Sequence, residues 1–219
     1  MSNLLARKFI VIEGLEGAGK STAIKYVKKW LEQSLIDQKN LVFTREPGGT
    51  IFAEKIRDII KMDIEGESLQ DKAELLLLYA ARVQLVENTI KPSLAAGATV
   101  IGDRHNYSSL AYQGGGRQID LALIKDIQRI SLGDFKADFT LYLDISPEQG
   151  LNRAKKRGSL DRIERQEIAF FERSRAVFKN LVEHDENAVS IDAGGKPKTV
   201  ELAIYQALDQ WRTRLENAL

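Results

Sequence analysis

Five short stretches of the chain are almost unbroken in apolar residues: KFIVIE (8–13), LVFTRE (41–46), TVIGD (99–103), FTLYLDI (139–145) and AVSID (188–192). A strand with one wet face alternates polar and apolar positions. Continuous apolar runs of this length predict strands covered on both faces, as in a parallel sheet. Between them the apolar positions recur at helical spacing. Residues 20–34 carry Ile24, Val27, Trp30 and Leu31 along one stripe, and 51–61, 71–91, 120–132, 147–157, 164–185 and 199–216 read the same way, with Pro92 ending the third of these. Strand alternating with helix predicts a doubly wound α/β sheet with right-handed crossovers. Ligands of such sheets bind beyond the C-terminal strand ends, so function is expected in the loops after residues 13, 46, 103, 145 and 192.

The first of those loops reads Gly14-Leu15-Glu16-Gly17-Ala18-Gly19-Lys20-Ser21-Thr22 and fits G-x-x-x-x-G-K-[ST] between a predicted strand and a predicted helix. Glycines let the backbone close around phosphate oxygens, and the free N–H groups of a helix start point inward. Lys20 is then expected on the β- and γ-phosphates of ATP, and the Ser21 hydroxyl on Mg²⁺. Three further loops are rich in arginine or glycine: REPGGT after the second strand, DRHNYSSLAYQGGGRQ after the third, and the basic stretch NRAKKRGSLDRIERQ. All are expected on, or folded over, the same sheet edge.

Composition narrows the choice. With 219 residues the chain suits a single α/β domain, 1–219, and no repeat or linker divides it. A net charge of +1 lacks the Lys/Arg excess that sequence-independent nucleic-acid binding requires. The absence of cysteine removes disulfides, thiolate zinc sites and thiol nucleophiles. MSNLLARKFIVIEG has no signal-peptide pattern, and AELLLLYAARVQLVE is too short and too charged to span a bilayer. A cytoplasmic protein without membrane partners is expected.

Several side chains at the predicted edge carry candidate chemistry. Asp103 ends TVIGD as a metal-holding carboxylate does; Asp144 at the end of FTLYLD competes, but Asp103 is favoured because Arg104 leaves the same strand end. Arg45, before a Pro-Gly-Gly turn, can offer its planar fork to a phosphate, as can Arg104. Arg153 to Arg165 reads either as a solvated basic helix face or as a lid hinged at Gly158 whose arginines close over the phosphates. Tyr112, Gln113 and Gly114 to Gly116 can line a base or sugar pocket, or simply pack.

Together these motifs resemble bacterial thymidylate kinase along nearly the whole chain: EGLEGAGKST, FTREPGGT, YAARVQ, GDRH, AYQGGGR, LYLD and a basic lid ending LDRIE. The resemblance implies a P-loop three-layer α/β/α sandwich of the nucleoside monophosphate kinase type, with a five-stranded parallel sheet and a mobile lid at about 153–165. It implies transfer of the ATP γ-phosphoryl group to dTMP with Mg²⁺, for dTTP synthesis, and a homodimer to which 71–91 and 120–132 can contribute. It implies that Glu16 meets the deoxyribose 3′-hydroxyl, Arg45 and Arg104 grip the dTMP phosphate, Arg82 meets a thymine carbonyl, Ser109 the base edge and Tyr112 the sugar. Gly17 stands where one family variant keeps a loop arginine, so the chain resembles the lid-arginine variant, with Arg157 foremost and Arg153 beside it. Leu78 replaces the phenylalanine that usually stacks on thymine, losing an aromatic contribution of about 0.5–1.5 kcal/mol. Another monophosphate kinase of the same fold is the nearest alternative. A GTP switch lacks its N-K-x-D motif, since DAGG at 192–195 follows the wrong strand, and a catalytically dead homologue is hard to square with intact Lys20, Ser21 and Asp103.

Overall fold

A computed structural model describes residues 4–34, 37–158 and 161–218. Its elements run β1 (Phe9–Gly14), α1 (Lys20–Gln33), β2 (Leu41–Arg45), α2 (Ile51–Lys61), α3 (Asp71–Leu85), a π-turn (Val86–Ile90), α4 (Lys91–Ala95) and β3 (Thr99–Asp103). They continue with α5 (Asn106–Ser109), a π-helical stretch (Leu110–Gly116), α6 (Leu121–Leu132), β4 (Phe139–Asp144), α7 (Pro147–Lys155), α8 (Ile168–Glu183), β5 (Ala188–Asp192) and α9 (Pro197–Asn217). The five strands form one parallel sheet in the order β2-β3-β1-β4-β5. No helix among the described residues is long and apolar enough to cross a membrane.

Central β1 is buried at all six positions, because its alternate residues serve two cores. Phe9 and Val11 pack with Leu75, Tyr79 and Ile124 under α3 and α6, while Ile10 and Ile12 pack with Val27, Leu31 and Leu208 under α1 and α9. Helices on both faces complete three layers. The edge strands depart from the expectation of two covered faces: β2 exposes Phe43 and Arg45, and β5 exposes Ser190 and Asp192, since an edge has no flanking strand to extend the cover.

Two helical expectations also need correction. Pro92 does not end the third helix. The π-turn intervenes, with the Lys91 N–H bonding to the Val86 carbonyl, and Pro92 falls in the first turn of α4, where its missing N–H costs little. The stretch after β3, read as a loop, is helical from Asn106 to Gly116. Its glycines serve close packing rather than a turn: a Cβ on Gly116 would stand 2.4 Å from the Phe170 ring on α8. The sheet register places Asp103 beside both Arg45 and Ile12, and Asp144 beside Asp192, so the strand ends share one edge.

Candidate functional site

The Gly14–Thr22 segment turns sharply because Gly17 takes φ 72° and Gly19 φ 92°, both left-handed. A side chain on Gly17 would put a Cβ 2.0 Å from the Gly150 carbonyl of α7, so α7 closes directly on the loop. Gly19 caps α1 without a side chain, and Ser21 and Thr22 lie exposed in its first turn. A helix start of this kind favours an anion. Lys20 folds back on it, donating to the Gly14 and Leu15 carbonyls at 3.2 and 3.3 Å. Burial, then repulsion from Arg104, lower its pKa to about 8, although Asp103, Glu16 and Glu13 pull the other way.

Arg104 sits at φ 73°, a backbone cost of about 1–3 kcal/mol for a non-glycine residue. Its guanidinium donates to the Gly14 carbonyl at 2.9 Å, to Ser108 Oγ at 3.1 Å and to Glu16 Oε1 at 2.7 Å. Tyr112 lies beneath it and donates its hydroxyl to Glu16 Oε2 at 2.6 Å. Buried Glu13 secures the same corner by accepting the His105 N–H, the Ser108 N–H and the Ser108 hydroxyl. Burial raises its pKa, with Arg104 and those bonds opposing.

Of the two candidate metal carboxylates, Asp144 is engaged. Arg175 grips both its oxygens, at 2.7 and 2.9 Å, and Tyr142 adds its hydroxyl. Asp103 keeps a buried Oδ1 with no partner among the described residues. Mg²⁺ asks for one or two carboxylates and completes its shell with water and phosphate oxygens, so Asp103 fits it and Asp144 does not.

Opposite the phosphate loop, Glu74, Leu78 and Arg82 repeat at four-residue spacing on one face of α3. Arg82 is 2% exposed. It donates through Nε to Glu46 at 2.5 Å and through Nη2 to the His105 carbonyl at 3.2 Å and Ser109 Oγ at 2.9 Å. Its Nη1 has no partner among the described residues. Burial alone would raise the Glu46 carboxyl, but Arg82 and His105 outweigh it and hold the group below its usual range. Losing one member of such a buried pair costs about 3–5 kcal/mol.

One cavity of about 300 Å³ joins these groups. Glu16, Gly17, Lys20, Asp103 and Arg104 line it from the phosphate loop and the end of β3, and Leu78, Arg82, Ser109, Tyr112 and Gln113 line it from α3 and the helix after β3. Arg45 and Arg157 also reach it, Arg45 paired with Glu54 and Arg157 with Glu164, both at 2.8 Å. Arg153 does not. Its guanidinium is held by the Ala193 and Gly194 carbonyls beyond β5. Within the expected lid, Ser159 and Leu160 lie outside the described residues. Gly158 takes φ 149°, and Arg162 crosses to the Ile60 carbonyl and to Glu74.

Several lining residues escaped the sequence reading. Arg57 of α2 lines the cavity and donates to the Pro47 carbonyl at 2.7 Å. Glu46, between Arg45 and Pro47, also lines the cavity, and His105 stands against it at 2.7 Å. Glu74 is fully buried and accepts from Gln113, Arg117 and Arg162. Its position four residues before Leu78, on the same helix face, was the available signal.

Comparison with known proteins agrees with this geometry. The sequence profile of the family described as "Thymidylate kinase" matches residues 12–204. A protein of Vibrio parahaemolyticus serotype O3:K6 (strain RIMD 2210633) named thymidylate kinase is 56% identical over 211 residues, covering 96% of this chain and 100% of its own. The crystal structure of thymidylate kinase from Ehrlichia chaffeensis is similar with a TM-score of 0.74 at 28% identity, covering 92% of this chain and 98% of that one.

Proposed function

This chain belongs to the thymidylate kinase family and phosphorylates dTMP to dTDP with ATP, and on that premise we propose how its residues divide the work. The observation that carries the division is the single cavity connecting Lys20 to Arg82. The Gly14–Thr22 loop holds the ATP phosphates. Ser21 and Asp103 would hold Mg²⁺, which would supply charge neutralisation on the ATP phosphates. Arg45, Arg57 and Arg104 face the monoester of dTMP. Leu78 covers the thymine face, Ser109 and Gln113 lie at its edge, and the Nη1 of Arg82 donates to a ring carbonyl. Glu16 and Tyr112 meet the sugar.

The acceptor oxygen needs little help from a base, because a phosphate monoester has its second pKa near about 6. Alignment and charge neutralisation therefore dominate. Gly17 leaves the phosphate loop without a cation of its own beyond Lys20, and Arg157 lines the cavity from the opposite side. We therefore assign the chain to the lid-arginine variant, with Arg157 on the transferred group and Arg153 fixing the loop after β5. The setting is the cytoplasm.

ADP release measured with dTMP, dUMP, dCMP, UMP and AMP tests the acceptor assignment. Turnover is expected with dTMP foremost. An ADP release rate indifferent to dTMP would remove it. Arg82→Ala is expected to raise the KM for dTMP at least about tenfold, as loss of a charged hydrogen bond implies, with kcat changing far less. An unchanged KM for dTMP takes Arg82 out of the base pocket.

A homodimer is proposed through the outer face of α3 and α6. Leu76 (57%), Leu123 (39%) and Ile130 (79%) are exposed there. Sedimentation at micromolar concentration is expected to show twice the chain mass, and Ile130→Glu to shift it towards the monomer. A wild-type monomer under those conditions rules this out.

A further inference from the structure

We propose that His105 is a positioning residue for thymine recognition, holding both sides of the Arg82 guanidinium so that only Nη1 is left for the base. The inference rests on the reading that Arg82 contacts the base. His105 grips Arg82 twice by different routes. Its carbonyl oxygen accepts from Nη2 at 3.2 Å. Its ring Nδ1 lies 2.7 Å from Glu46 Oε1, and Glu46 Oε2 in turn accepts from Nε at 2.5 Å. Glu46 is ionised and can only accept, so Nδ1 carries the hydrogen and donates it. Ser109 Oγ takes the second hydrogen of Nη2. The closed circuit His105–Glu46–Arg82–His105 uses Nε and Nη2 and leaves Nη1.

The rest of the His105 side chain shows that the donor, rather than the ring alone, is what the site uses. The ring is wedged edge-on against Phe9 and Phe135, with centroids 5.1 and 6.0 Å away. Its Nε2 is buried with no partner among the described residues. A phenylalanine would fill the same space and remove that unsatisfied nitrogen, but it would leave the buried Glu46 Oε1 without its donor. A ring nitrogen that carries this cost is explained by what the other nitrogen does for Glu46. A carboxylate gripped from one side only by Arg82 can rotate and carry the guanidinium with it. The Nδ1–H bond fixes the carboxylate plane, and that plane fixes the direction of Nη1. Direction matters because thymine and cytosine differ at the ring position where one presents an oxygen and the other an amino group. A fixed donor pairs with the first and is left unpaired by the second.

Two substitutions separate this role from packing. His105→Phe keeps the aromatic contacts and loses the donor. His105→Asn keeps a donor where Nδ1 stands and loses the aromatic contacts. The phenylalanine variant is expected to melt below wild type, because the buried Glu46 Oε1 loses its donor. Its KM for dTMP is expected to rise about tenfold, with kcat within about twofold and the KM for ATP unchanged. Its preference for dTMP over dCMP, taken as the ratio of kcat/KM values, is expected to fall about tenfold. The asparagine variant is expected to melt lower, yet to restore KM and preference to within about twofold of wild type. Both variants would thus melt lower while only phenylalanine loses recognition, which a purely structural histidine does not allow. Arg82→Ala measured in parallel distinguishes two failures. A normal phenylalanine variant beside a defective Arg82→Ala, or an asparagine variant as impaired as phenylalanine, overturns the positioning role alone. Normal KM and preference in both His105→Phe and Arg82→Ala overturn the base contact and the positioning role with it.

Discussion

Lys20→Met is expected to lower kcat about 10³-fold, the upper end of the loss for one preorganised donor at a developing charge, because here the donor is also a full positive charge. The free protein shows why this lysine is suited to its work. Burial and Arg104 hold its pKa at about 8, so the cation is poorly compensated until a polyphosphate arrives. Bound ATP stabilises the charged form and raises the pKa again. Affinity for ATP should therefore be greatest where Lys20 is already protonated, below about pH 8. Above that pH, binding must take up a proton, and the dissociation constant should climb by up to about tenfold per unit until the pKa of the complex is reached.

The same shift carries a stability sign. The unfolded lysine titrates near 10.5 and the folded one near 8, so the unfolded chain binds more protons between those values. Stability then rises with pH across that window, and the burden of the buried cation is full below it. Methionine removes that burden, so the ATP-free variant should melt no lower than wild type at pH 7. Loss of turnover could then not be ascribed to unfolding. Calorimetric titration of ATP from pH 7 to 9.5, in two buffers of different ionisation enthalpy, reads the proton uptake directly. A flat dissociation constant in wild type, or the same pH dependence in Lys20→Met, would sink this account.

What sequence could reveal of this molecule follows from how local each feature is. The phosphate loop is contiguous, and its flanking strand and helix lie within a single βα unit, so loop, Lys20 and Ser21 were all readable. The strand runs were readable because central strands in a parallel sheet must be apolar on both sides. Edge position is a property of topology, and the exposed Phe43 of β2 could not have been read from LVFTRE. Sequence favoured Asp103 over Asp144 because Arg104 leaves the same strand end, but it could not show what occupies Asp144, namely Arg175, 31 residues on in α8. The glycines of YQGGGR suggest a turn in sequence, yet they permit a helix to pack tightly on α8. Glu46 and His105 were hidden for a similar reason. Their roles lie in a circuit closed between β2, α3 and the segment after β3, and no window along the chain contains all three.

Arg157→Ala is expected to lower kcat by about 10²–10³ while leaving the KM for dTMP nearly unchanged. The argument turns on where the side chain stands at rest. It lines the cavity but its side chain is 65% exposed, and among the described residues its ion pair is with Glu164, seven residues on. An exposed pair of this kind contributes at most about 1 kcal/mol, so alanine should leave the melting temperature unaltered. The same guanidinium in a closed, water-poor site would face charge spread over the transferred phosphoryl oxygens, where its contribution is several times larger. In the proposed division Arg45, Arg57 and Arg104 hold the acceptor, and none of them bonds to Arg157, so dTMP binding should survive. Arg153→Ala provides the contrast. Its guanidinium is engaged by the Ala193 and Gly194 carbonyls, so its loss should disturb the loop after β5 and the KM for ATP more than the chemical step. Single-turnover measurements with both substrates saturating isolate that step from product release. An Arg157→Ala rate within a few-fold of wild type, or an Arg153→Ala rate that falls further, would move the catalytic charge away from Arg157.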